Sequence, residues 1–100
     1  MRFEWDPEKA ARNEEVHDVT FEEACELFES GAETLEIYDV EHSDTEDRFK
    51  SVGPVRRGLV LVVWTERDDD VIRIISAWWA TTKERRMYQE FLEELHGHQT

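Results

Sequence analysis

The chain is 100 residues long, which suits one domain. Its 39% hydrophobic content supports one modest core under a surface rich in charge, at 37% Asp, Glu, Lys and Arg. The net charge of −13 argues against a molecule that binds nucleic acid with its whole surface. The charge is uneven: residues 1–50 hold 17 carboxylates against 5 Lys and Arg, whereas residues 51–100 hold 8 against 7. Contact with RNA is therefore expected from the second half, and the acidic half suits a basic protein partner.

No run approaches the roughly 18 apolar residues of a membrane span, and no secretory leader pattern opens the chain. The single cysteine, Cys25, cannot form an internal disulfide and reads as a small core residue of a cytoplasmic protein. No repeat or linker divides residues 1–100, which read as one domain with a loose tail at 97–100.

In chain order, Phe3 and Trp5 anchor the approach to a first helix. Asp6 caps that helix, Pro7 opens it, and it runs to about Val16 on the surface. Thr20 and Glu23 form a capping box for a second helix, with Val19 stapled to Ala24 and Gly31 as a left-handed stop. Phe21, Ala24, Cys25 and Phe28 make its buried stripe. From Glu33 the period changes to two, so Leu35 and Ile37 mark a half-buried strand. A polar loop, Glu41 to Asp47, leads to a second strand at Arg48–Val55. Leu59–Thr65 is apolar on both alternations, as a central strand buried on both faces requires. A turn at 67–70 returns the chain as a strand over Val71–Trp79. Thr81 and Glu84 cap a last helix reaching about Leu95, with Met87, Tyr88, Phe91, Leu92 and Leu95 on one side. The order predicts an α+β fold of type ααββββα, helices covering one face of a four-stranded antiparallel sheet.

Six segments in this order resemble the BrnT family of toxins from type II toxin–antitoxin modules. They are FEWDPEKAARN, HDVTFEEA, DVEHSDTEDRF, LVVWTER, IRIISA and ATTKERRMYQ, spread over Arg2 to Glu90. The resemblance implies a fold like that of the RelE ribonucleases and RNA cleavage without a metal. It also implies neutralisation by an antitoxin of ribbon-helix-helix type, with the complex regulating its own promoter. Carried over residue by residue, it singles out His17, Arg48, Arg67, Arg73, Ser76, Glu84, Arg85 and Tyr88. The chain departs from the family where basic residues usually stand, at Val16, Trp78 and Trp79, and where glycine usually stands, at Asp18. Losing positive charge at the Trp pair implies reduced cleavage.

Metal-free RNA cleavage needs a proton taken from the 2′-hydroxyl, charge stabilised on the phosphate, and a proton given to the leaving oxygen. Histidine titrates near working pH, and an arginine fork binds phosphate oxygens. Arg67 is thus the first candidate for the phosphate, its other reading being a hairpin-end arginine paired with Asp68 or Asp70. Arg48 and Arg73 are alternatives from neighbouring strands, or members of cross-strand ion pairs. His17 is a general acid or base, or a helix-end residue bonded to a carbonyl. Tyr88 offers a hydroxyl or packs in the core. Trp78 and Trp79 point to opposite faces, so one is expected to stack on a base or anchor a partner. Arg85 joins them as an RNA- or partner-binding residue. Asp68–Asp70 and His42 with Asp44 and Glu46 make poor cation sites, and His96 and His98 carry no expected role. No glycine-rich phosphate loop or Cys–His spacing calls for a cofactor or metal. A non-catalytic binding or regulatory module on the same scaffold is the competing reading.

Overall fold

The computed structural model describes residues 1–68 and 70–97. Along the chain lie β1 (Arg2–Glu4), α1 (Pro7–His17), α2 (Phe21–Glu29), β2 (Leu35–Tyr38), β3 (Phe49–Val55), β4 (Gly58–Arg67), β5 (Val71–Trp79) and α3 (Thr82–Leu95). The expected α+β class and helix order hold, and the sheet gains a fifth strand. Its order is β1-β5-β4-β3-β2, antiparallel throughout except for β1, which pairs parallel to β5. β1 has only three residues, too few to show an alternation. Its pairing comes instead from the position of Phe3, which meets Phe28 of α2 at 5.7 Å between ring centroids.

The helix ends follow local chemistry. Asp6 accepts the Glu8 N–H at 2.9 Å, and both capping boxes, Thr20 with Glu23 and Thr81 with Glu84, are complete. α1 ends on Asp18 in the left-handed conformation (φ 57°), its N–H donating to the Glu14 carbonyl. Gly31 is also left-handed (φ 75°), past the end of α2.

The helices do not share one face of the sheet, and this corrects the expected packing. Val60, Val62 and Trp64 of β4 pack with Val19, Phe21, Ala24 and Leu27, so α2 covers one side. Leu61 and Val63, on the opposite alternation, pack with Tyr88, Phe91 and Leu92, so α3 covers part of the other. A central strand apolar at both parities needs cover on both sides. The stripe on α3 specifies that it is buried, and leaves open against which face. α2 lies so close to β3 that a Cβ at Gly53 would sit 2.6 Å from Leu27 Cδ1.

The first helix lies on the surface, as expected, and is also bound to the sheet edge. β1 covers β5 only as far as Arg73. Beyond it, the buried Asn13 side chain takes over as a substitute strand. Its Nδ2 donates to the carbonyls of Ala77 (2.9 Å) and Val19 (3.0 Å), and its Oδ1 accepts from the Ala77 N–H (3.1 Å). Three chain segments, α1, the α1–α2 loop and β5, are tied by one amide, and Ser76 Oγ also donates to it at 3.3 Å. Cys25 is buried, and burial, with Glu29 and Glu22 nearby, pushes its thiol up to about 12. At neutral pH it is a core residue, as expected.

Candidate functional site

The expected phosphate-binding arginines lie on the face of the sheet that carries α3, beyond the end that α3 covers. Thr65 pairs with Arg73, and Arg67 follows Thr65 at strand spacing, so both guanidinium stems share its face. Arg48, one residue before β3, continues that rung next to Thr65, whose hydroxyl donates to the Asp47 carbonyl at 2.5 Å. Lys50, not foreseen as a site residue, sits one rung inward opposite Val63.

Every arginine of this group is paired with a carboxylate. Glu46 lies between Arg48 (Nε at 3.5 Å) and Arg67 (Nη2 at 3.8 Å), and Glu4 of β1 holds Arg73 at 2.8 Å. The Arg48 Nε is buried, and at 3.5 Å from Glu46 it makes no hydrogen bond. Arg67 pairs with neither Asp68 nor Asp70 among the described contacts, whereas Arg73 does make a cross-strand pair. A guanidinium with a carboxylate at contact distance presents little net field to a phosphate.

His17 stands elsewhere. Five residues of strand separate Arg73 from Trp78, about 16 Å of rise, and His17 is at the Trp78 end, with ring centroids 6.0 Å apart. It lines two cavities that adjoin along α1. The first, about 290 Å³, lies between Lys9, Arg12, Asn13, Val16 and His17 of α1 and the Ile75–Ser76 segment of β5. The second, about 590 Å³, shares Val16 and His17 and continues to Trp78, Trp79 and Thr81.

The composition of this groove is unusual for the chain. Among the described residues, no carboxylate lines either cavity, although the sequence carries 25 of them. Two other depressions each include carboxylates: Glu8 and Glu15 in one, Glu4 and Asp68 in the other. Two of the groove's lining residues are cations, and Arg12 also borders the depression that holds Glu8 and Glu15. Lys9 and Arg12 escaped the sequence reading because the α1 pattern, thin in apolar residues, looked like a solvated face. Lys9 and Arg12 of this groove belong to the N-terminal half, whereas contact with RNA was expected from the second half.

The remaining candidates separate cleanly. Tyr88 is buried and its hydroxyl donates to the Glu33 carbonyl at 2.7 Å, so it packs and does not reach a site. Burial pushes its pKa up, and Glu33 adds to the shift. Arg85 is exposed on α3. Trp78 packs with the α3 cluster, its Nε1 donating to Glu84 at 3.1 Å, and Trp79 packs with the α2 cluster; both remain half-exposed. The two rings do belong to opposite faces, yet both reach the same cavity at the strand end. Arg57 stacks over Trp79 at 5.0 Å while binding Glu23 (2.6 Å) and the Asp18 carbonyl (2.7 Å). These contacts hold the Glu23 carboxyl down at about 2, the Arg57 hydrogen bond being the main cause.

His42 bonds to Asp39 at 2.9 Å and not to Asp44 or Glu46. His96 contacts Glu33 at 3.0 Å. His98 and the rest of the expected tail at 98–100 lie outside the described residues, as does Asp69. Among the described residues there is no cluster of three metal-ligating side chains, and no helix is long and apolar enough to cross a membrane.

Comparison with known proteins agrees with this architecture. Residues 5–84 match a family model described as the ribonuclease toxin BrnT of type II toxin–antitoxin systems. The crystal structure of the Brucella abortus ribonuclease toxin BrnT superposes with a TM-score of 0.64 at 19% identity. That match covers 82% of this chain and 99% of the other. At this identity it speaks for the fold alone. No curated protein matches the sequence.

Proposed function

Since the chain belongs to the BrnT family of ribonuclease toxins of type II toxin–antitoxin systems, we propose that it cleaves RNA without a metal, at the groove along α1. The observation that carries this reading is His17 in one cavity with Lys9 and Arg12, with no carboxylate among the residues that line it. Lys9 and Arg12 hold the non-bridging phosphate oxygens and stabilise the charge that builds there as the 2′-oxygen attacks phosphorus. His17 takes the 2′-hydroxyl proton and returns a proton to the departing 5′-oxygen. One imidazole serving as both base and acid makes for slow turnover, and an attenuated enzyme is the expected consequence.

Arg48, Arg67 and Arg73 are second in this scheme. They contact phosphates farther along the strand only once RNA displaces Glu46 and Glu4. A cognate antitoxin, of ribbon-helix-helix type by family resemblance, covers the site in the cytoplasmic complex.

The test uses the purified chain free of antitoxin. It should cut single-stranded RNA in the presence of chelator, leaving a cyclic phosphate, and His17→Ala should lower the rate about 100-fold or more. Folded protein that leaves RNA intact across a wide pH range would end the enzymatic reading. It would favour a binding module on the same scaffold, which the carboxylates beside all three arginines also support.

A further inference from the structure

We infer that the 590 Å³ cavity at the end of α1 is a nucleobase subsite, holding one unpaired base of the RNA whose backbone lies on Lys9 and Arg12. The inference rests on the RNA reading above and extends it to how substrate is selected. The volume falls within the roughly 300–1,000 Å³ of small-ligand pockets.

The walls fit a flat aromatic guest. The rings of His17, Trp78 and Trp79 all line it, His17 and Trp78 being tilted at 47° with centroids 6.0 Å apart and Arg57 stacked on Trp79. The Trp78 Nε1 is engaged by Glu84, which fixes the indole, so what it offers a guest is its π surface. Val16 adds an apolar rim that is 68% exposed. Thr81 uses its oxygen to accept the Glu84 N–H, which leaves its hydroxyl proton to donate to a base carbonyl or ring nitrogen. Stacking of this kind tolerates any base, because each has a π face.

Charge decides between an RNA and a protein guest. The cavity adjoins the Lys9–Arg12 half of the groove, since Val16 and His17 line both. A base carried on a phosphate backbone satisfies the two halves together. An apolar peptide side chain would satisfy the aromatic half alone.

The experiment measures binding of the full chain to two labelled probes that it cannot cut. One is a 2′-O-methyl decanucleotide and the other is the same backbone without bases. The intact probe should bind about tenfold more tightly. Trp78→Leu should bind both probes at the level of the baseless one, while Trp78→Phe, which keeps an aromatic face, should stay within about threefold of the parent. Thermal melts confirm that both variants are folded, and the comparison of probes on the unaltered chain needs no variant. Equal binding of the two probes, weakened by Lys9→Glu but untouched by Trp78→Leu, would overturn the base subsite and leave the RNA reading standing. Absence of binding to either probe at low salt would overturn both. A tryptophan-bearing peptide that fills the cavity while neither oligonucleotide binds would reassign it to a protein partner.

Discussion

Two basic regions lie along β5, and they differ in what surrounds the cations. At the Arg73 end, three arginines share one face, and Glu46 and Glu4 sit within 4 Å of them. Alongside Ile75–Ser76, Lys9, Arg12 and His17 line a groove that continues past His17 to Trp78, with no carboxylate among the described lining residues. Arginine counting favours the first region, whereas the field that a phosphate would meet favours the second. On a chain of net charge −13, where the acids lie is as informative about a candidate surface as where the bases lie.

The strongest way to break this contrast is to detach α1. Asn13→Leu leaves the Ala77 N–H and two carbonyls without their buried partner. It should cost about 3 kcal/mol or more in urea denaturation and abolish RNA binding at concentrations where the protein is still folded. Full stability in that variant would mean that the edge is held by something other than the amide.

The cations themselves give the next largest effect. Lys9→Gln with Arg12→Gln should lower affinity for single-stranded RNA at least tenfold and flatten its salt dependence by about 1.4 in log–log slope. Arg67→Ala should change affinity by less than about threefold. Glu46→Gln, which unmasks Arg48 and Arg67, should instead strengthen binding. Reversal of that order would return the phosphate site to the sheet.

A smaller effect concerns the floor beneath Trp79. The carboxyl of Glu23 titrates at about 2 in the folded chain instead of 4.5. Because the folded value is the lower one, the stabilisation is complete above pH 4.5 and is lost as pH falls toward 2. Arg57 is 48% exposed and Glu23 20%, so solvent screening keeps the contribution small. Stability measured between pH 5 and 2.5 should fall less steeply in Glu23→Gln than in the parent chain.

Much of the fold was legible because its signals are local. Thr20 with Glu23 and Thr81 with Glu84 announce helix starts through the hydrogen bonds they form, and the Leu59–Trp79 hairpin follows from two apolar runs and a turn. β1 was not legible, since three residues have no period and their partner lies about seventy positions away. The side on which α3 docks is a tertiary property that its stripe does not encode. The site was read only in part. His17, Trp78 and Trp79 do line one cavity, but the arginines were weighed without Glu4 and Glu46, which only the folded register brings beside them. Asn13 looked like a solvated helix residue, because nothing local distinguishes an amide facing water from one facing a strand edge.

The Asn13 amide has a consequence for how the molecule behaves in a crowded solution. β5, with nine residues rich in Ile, Val and Trp, is the strand on which a foreign chain would most readily nucleate. Three residues of β1 and one side-chain amide occupy its outer margin instead. The outermost strands, β1 and β2, are three and four residues long, too short to seed stacking of chain upon chain. A helix residue thereby keeps a sticky sheet from growing into filaments.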